Sequence, residues 1–443
     1  MPGSRALSAH RSRPEPPDPA PAARPHSTWS HPLPSATAPG RIERATHTVA
    51  PTPSPDRFAL GYAFAGLHVD SRVPGVRDLL QRVLGPAFTA TTATQADAGT
   101  APLRLTVRLR GRGEPTAATV HGLTRMPTLL LDGTRQAVLV HTPDQVTVLQ
   151  LAEEDATELL LTARPGAGEV DLAVPDDSPA ALRAVARTVK FLVGAQLTAA
   201  GLPVFHGSAV SSDGDGIVVV GPSGSGKSSL MFLVATRAGW DFVSDDLVFA
   251  WSDADGAPRM SGWSNRIGLS VAALSGHPAR ARFEQARLRR YDQPLGSLDV
   301  DADRPWSRAD RVRVYCDIDE FLQTAQVRGA AAVRPRGVVV PVAERDRRGW
   351  ELTVEDPEDL RWRADFDANI RQLKHVTDFL GLVPRPALAD AGDAAAVGTA
   401  LDALPVVRVR YGRDMLDDVP RFWDEVTDAL ARTRSASLPG ALR

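Results

Sequence analysis

The sequence predicts an α/β protein in which a small α+β region precedes a larger α/β domain. Three observations lead there. Strand-like runs between Phe58 and Thr162 accompany a single helix-spaced segment at Gly75–Leu84. A long helix then opens at Ser178-Pro179 and closes at Gly201. Finally, the β-branched run Ile217-Val218-Val219-Val220 passes into a Gly/Ser-rich loop followed by a largely apolar helix, Leu230–Ala238.

Bulk properties narrow the function classes. The 443 residues suffice for two cores, and a formal charge of −2 provides no global field to attract nucleic acid. No apolar run reaches the roughly 18 residues of a membrane helix, and prolines stand where a signal peptide would be apolar, so a cytoplasmic protein is expected. Cys316 is the sole cysteine, which rules out an intramolecular disulfide; among Val312, Val314 and Tyr315 it reads as a small core residue. Lysine occurs only at 190, 227 and 374, against 48 arginines, the bias of a GC-rich bacterial genome.

In chain order, residues 1–55 are rich in Pro, Ala, Ser, Arg and His and short of large apolar side chains, so a disordered tail is expected. From Phe58 the strand-like runs are Phe58–Val69, Leu103–Leu109, Thr128–Leu131, Ala137–His141, Gln145–Leu151 and Glu158–Thr162, with Asp132-Gly133 as a hairpin turn. Residues 56–177 thus read as a small antiparallel sheet with one helix. Its histidines, His68, His121 and His141, lack metal-ligand spacing. The helix from Ser178 carries Leu182, Val185, Val189, Leu192, Val193 and Leu197 on one face.

The chemistry concentrates after that helix. Gly221-Pro222-Ser223-Gly224-Ser225-Gly226-Lys227-Ser228-Ser229 fits G-x-x-x-x-G-K-[ST], with a strand before and a helix after. Such glycines let backbone N–H groups turn toward phosphates, and the helix N-terminus adds the positive end of its dipole. Gly221, Ser223, Gly224, Ser225, Gly226, Lys227, Ser228 and Ser229 are the expected nucleotide contacts, Lys227 reaching the β- and γ-phosphates and Ser228 ligating Mg²⁺. A short strand, Trp240–Ser244, ends in Asp245-Asp246, eighteen residues after Lys227. Adjacent carboxylates at a strand end point to different faces, so one suits Mg²⁺ and the other an acceptor's proton. A parallel strand beside the loop would bring them to the same crevice. Upstream, Val204–Val210 holds His206-Gly207 on a strand joined to the loop strand by a polar turn.

This ordered set, from His206-Gly207 through Gly221–Ser228 to Asp245-Asp246, resembles the HPr kinase/phosphorylase family and its stand-alone HprK-like relatives. The resemblance covers about residues 202–250, with weaker similarity through Gly337–Glu344 and through the near-terminal strand Val406–Tyr411. It implies a P-loop kinase core of the HPr kinase and phosphoenolpyruvate carboxykinase type, with ATP and Mg²⁺. By position Asp245 looks like the proton acceptor, Asp246 and Ser228 like Mg²⁺ ligands, and His206 would lie near the transferred phosphate; the two aspartates are exchangeable in these roles. The family's acidic residue after the first loop glycine and its Glu after Lys-Ser are Pro222 and Ser229 here, and Gln326-Val327-Arg328-Gly329 lacks the Glu of its later signature.

The expected division is therefore a tail at 1–55, a small α+β domain at 56–177 and an HprK-like nucleotide-binding domain at 178–435. Arg266 and Arg290 are candidates for extra charge at the γ-phosphate. Asp301–Asp310 reads as a loop, Asp317–Gln323 as the start of a helix, Glu355–Leu380 as mostly helical, and Pro420–Arg432 as a final amphipathic helix. The expected activity is ATP-dependent phosphorylation of a serine-type hydroxyl on a protein, peptide or small molecule, without nucleic acid or membrane as partner; a homo-oligomer is compatible with it. A non-catalytic nucleotide-binding regulator and an NTPase hydrolysing ATP to drive a conformational change are the alternatives.

Overall fold

The computed structural model describes residues 54–92, 103–119, 125–126, 136–151, 157–291, 313–356, 378–383 and 394–437, except positions 64, 117, 254, 264–265, 275–276, 345 and 379. Of the sequence expectations, residues 1–53 of the tail, Thr128–Leu131, Asp132-Gly133, Asp301–Asp310 and 357–377 lie outside the described residues. The chain is a mixed α/β protein with two large sheets.

The expected run Phe58–Val69 is a hairpin, β1 (Asp56–Tyr62) and β2 (Ala65–Ser71), turning at Ala63 with a positive φ of 52°. Then follow α1 (Val76–Leu84), β3 (Thr89–Thr92), β4 (Leu103–Leu109), β5 (Arg125–Met126), β6 (Gln136–His141), β7 (Val146–Gln150), β8 (Leu159–Arg164) and β9 (Glu169–Val174). Among the described residues they form a nine-stranded sheet in the order β3-β1-β2-β4-β9-β8-β7-β6-β5. It is mixed, not antiparallel as expected, because β2–β4 and β4–β9 pair in parallel. Alternation of apolar residues reports a half-buried strand of either direction, so it could not show this. The crossover that parallel pairing requires is supplied between β2 and β4 by α1 and β3.

Helix α2 (Pro179–Ala199) begins where expected: Ala181 N–H donates to the Ser178 hydroxyl at 3.3 Å, and Gly201, at φ 72°, closes it. Between Ala184 and Leu197 it is buried on most sides rather than on one face. Its apolar residues join those of the first sheet and α1 in one core, which continues into Leu247, Phe249 and Trp263 of the second sheet.

The second sheet starts with β10 (Val204–Ser212) and β11 (Asp215–Val220). Asp213 and Gly214 both have positive φ, 51° and 82°, as a two-residue hairpin loop requires. After α3 (Lys227–Arg237) come β12 (Asp241–Ser244), β13 (Leu247–Ser252), β14 (Pro258–Trp263), β15 (Ile267–Ser270), α4 (Val271–Leu274), α5 (Arg280–Tyr291), β16 (Arg313–Cys316) and α6 (Ile318–Ala325). The chain ends with β17 (Arg334–Ala343), β18 (Trp350–Glu355), α7 (Ala394–Asp402), β19 (Val406–Tyr411) and α8 (Val419–Ser437). Glu355, expected to open a helix, ends edge strand β18.

The strand order is β14-β13-β10-β11-β17-β19-β18, with β12 also on β10 and β15 paired separately with β16. Strands β11, β17 and β19 are parallel and carry the core. Ile217 and Val219 face a cluster with α3, α6 and α8, while Val218 and Val220 face another with α7, so both faces are covered. That is why Ile217–Val220 is uninterruptedly apolar. Cys316 is buried, as expected. Among the described residues no helix is long and apolar enough to cross a membrane.

Candidate functional site

Strand register builds the site. Gly207 on β10 is opposite Val220 on β11, so His206 stands level with Gly221, where the loop leaves the sheet. Strands β12 and β13 both pair with β10, at Ala209–Ser211 and at Val204–His206. Asp245-Asp246 is the irregularity between them. It is pinned to β10 through its backbone: Gly207 N–H donates to the Asp246 carbonyl and the Ser208 hydroxyl to the Asp245 carbonyl, both at 2.9 Å. Such a break in pairing re-aims side chains off the sheet. The expectation that β12 lies beside the loop strand needs correction: β12 runs in the direction of β11, but β10 separates them. The two aspartates and the loop still meet at one level of the sheet, because both are held against His206–Ser208 of the intervening strand.

His206 Nε2 is 3.2 Å from Asp246 Oδ1, and both side chains are about one-third exposed, 29 % and 37 %. Asp245 turns the other way and accepts the N–H of Gly268, at the start of β15, at 3.2 Å on Oδ2. The two adjacent carboxylates thus have different partners.

In the loop, Pro222, Ser223 and Gly224 are exposed, whereas Ser225, Gly226, Ser228 and Ser229 are half-buried. Ser225 N–H donates to the Pro222 carbonyl at 3.1 Å, and Leu230 N–H donates to Gly226 at 2.8 Å, opening α3. Gly224 and Gly226 have φ of 86° and 97°. At Gly226 the requirement is double, since a Cβ would also lie 2.6 Å from the Tyr411 hydroxyl. Tyr411 ends β19 and is fully buried, and burial raises its phenol pKa. The buried Lys227 donates to the carbonyls of Gly221 at 2.8 Å and Pro222 at 3.2 Å, lying back along the loop.

Two features of this loop fit a nucleotide phosphate. The Ser225 hydroxyl oxygen is buried without a hydrogen-bond partner among the described residues. Gly224 faces open space on the side where a Cβ would stand. No cluster of three or more His, Cys, Asp or Glu exists among the described residues; a phosphate-bound Mg²⁺ takes only one or two protein carboxylates, its other ligands being phosphate oxygens and water.

Beyond the aspartates lies a group the sequence did not single out. Lys190 projects from α2 with Nζ 6.0 Å from the centre of the Trp263 ring, and Trp263 is opposite Leu247, the residue after Asp246. Burial pushes the Lys190 ammonium down to about 8, against the pull of Asp246 and Asp317 and with the repulsion of Arg187. Asp317 precedes α6 and lies 3.7 Å from Arg266, which is about half-exposed. Of the two expected arginines, Arg266 is thus on the Asp317 side, and the side chain of Arg290 lies outside the described residues. The signal for Lys190 was in the composition, as one of only three lysines.

No family model matches the chain, and none of the curated proteins matches it. Among solved structures, it is similar to the Hpr(Ser) kinase/phosphatase from Coxiella burnetii, at 11 % identity over 54 % of this chain and 99 % of that one, with a TM-score of 0.21. An overlay that loose carries no argument for fold or activity, which are argued from the residues alone.

Proposed function

We propose that the chain is an ATP-dependent kinase of the HprK-like type, transferring the γ-phosphate to a serine-type hydroxyl on a protein, peptide or small molecule. The observation that carries this reading is the His206–Asp246 contact of 3.2 Å, held by strand register level with the point where the Gly221–Ser229 loop leaves the sheet. A binding module needs the loop; it does not need a paired histidine and carboxylate beside it.

In this reading the loop amides, Ser225 and Lys227 hold the phosphates, with Gly221, Ser223, Gly224, Gly226 and Ser229 shaping the cradle. Mg²⁺, held by Ser228 and Asp246, would neutralise phosphate charge. Lys227 leaves the loop carbonyls for the β- and γ-phosphates. Asp245 takes the proton of the acceptor hydroxyl. The oxygen so freed bonds to the γ-phosphorus while the bond to the β,γ-bridging oxygen breaks, its electron pair leaving with the diphosphate. His206 stands beside the transferred group and, through Asp246, orders the turn. The family's hallmark acidic residues are absent at Pro222 and Ser229, which favours an acceptor other than HPr.

The test is γ-labelled Mg²⁺-ATP incubated with the protein and a lysate of its source, beside Asp245→Asn and Lys227→Ala. A kinase labels an acceptor, loses labelling in Asp245→Asn with nucleotide affinity kept, and loses both in Lys227→Ala. Binding with neither labelling nor phosphate release would leave a nucleotide-responsive regulator. Phosphate release that needs no acceptor and that lysate does not divert would indicate a hydrolase.

A further inference from the structure

Lys190 is awkward where it stands. Helix α2 is buried on most sides around it, with Thr188, Val189, Phe191 and Leu192 all inside. Burial strips hydration from its ammonium, against which stand the Trp263 face and two nearby carboxylates. A chain that uses arginine almost everywhere has kept lysine, a compact point charge, at this position as at Lys227.

The sheet order says where that charge acts. Trp263 is on β14 and Leu247 on β13, on one side of His206 on β10; the loop leaves β11 on the other side. Lys190, over the Trp263 ring, and the loop that carries Lys227 therefore stand on opposite sides of His206 in the sheet order. If the nucleotide lies on the loop, the phosphoryl group leaves it toward Lys190.

We infer that Lys190 is a second catalytic cation, standing across His206 from the loop and neutralising the phosphoryl group in flight, opposite Lys227. The inference rests on the kinase reading and extends it, because it brings a residue from outside the loop-and-strand core into the transfer step. Its ammonium donates to an equatorial phosphoryl oxygen as the bond to the leaving diphosphate lengthens; Lys190 itself neither gains nor loses a proton. Transition-state charge is thereby divided between two lysines.

The test compares Lys190→Met and Lys190→Arg with the wild type and with Lys227→Ala. Mg²⁺-ATP affinity is measured by calorimetry, and phosphate release with water standing in for the acceptor. Lys190→Met is expected to bind ATP within about threefold of wild type and to release phosphate on the order of 100-fold more slowly, the loss typical for one transition-state donor. Lys190→Arg should recover part of that rate. The urea midpoint of each variant, read beside its rate, separates the rate effect from unfolding. Wild-type release by Lys190→Met, with release lost in Lys227→Ala, overturns this inference and leaves the kinase reading standing. Equal losses of rate in the Met and Arg variants, together with a lowered urea midpoint, also overturn it, as they mark a structural lysine. Absence of ATP binding by the wild type would fail the kinase reading and this inference with it.

Discussion

Gly226→Ala should be among the most damaging single-methyl changes in the protein. The residue caps α3 with φ 97° and ψ 8°. An alanine in left-handed backbone costs roughly 1–2 kcal/mol. Its Cβ would lie 2.6 Å from the Tyr411 hydroxyl, on a fully buried ring at the end of the core strand β19. Overpacking of that kind costs roughly 1–3 kcal/mol. The sum, about 2–5 kcal/mol, is a large share of the ~5–15 kcal/mol that holds a typical protein together. Thermal and urea unfolding measure it, at about 1 °C per kcal/mol for a chain of this length. A second variant divides the two causes. Tyr411→Phe removes the hydroxyl, so Gly226→Ala made in that background should keep the backbone strain and lose most of the clash, giving a coupling of about 1–3 kcal/mol. Stability of Gly226→Ala within about 0.5 kcal/mol of wild type would refute the reasoning, and equal penalties in the two backgrounds would refute the clash.

Two further perturbations test the packing around the site. His277 is buried against Phe232, with Nε2 2.9 Å from the Thr236 hydroxyl and Nδ1 accepting the Ala279 N–H; burial, then Arg237 and Arg282, pushes it down to about 4 from 6.5. The unfolded chain therefore binds the extra proton first as pH falls, so stability should drop between about pH 6.5 and 4 by at most about 3 kcal/mol, and urea midpoints for His277→Gln should fall less steeply over that window. Tyr62 on β1 donates its hydroxyl to the Gly262 carbonyl on β14 at 3.1 Å, a buried bond between the two sheets. Tyr62→Phe should cost about 1–2 kcal/mol in chemical denaturation.

The parts legible in the sequence are those whose signal is local. The Gly221–Ser229 loop announces itself because a positive-φ glycine series, a lysine and a β-branched strand must be contiguous to work. The Ser178 cap and the turn at Asp213-Gly214 are likewise local chemistry. What was not legible depends on partners distant in sequence. Nothing in Leu103–Leu109 reveals that it pairs in parallel with Ala65–Ser71 and Glu169–Val174. The place of β10 between the loop strand and the aspartate strand follows from the two registers of one nine-residue strand, visible only once folded. Tyr411 read as the end of a terminal strand, and its role against Gly226 appears only in the fold.

Lys190 shows why the first sheet matters to the site. Its helix is anchored in the same core as β1, β2 and β4, and that core includes Leu247 and Trp263, the residues that flank Asp246 and the Lys190 ammonium. The distance between Lys190 and the aspartate pair is thus set by packing contributed from both sheets. Close-packed interiors transmit strain, so a volume change at α2 shifts the ammonium relative to the carboxylates even where no site residue is touched. On the proposed role of Lys190, a charge placed by one core against a loop placed by the other sheet makes the described first sheet and α2 part of the site's architecture rather than a cover over it.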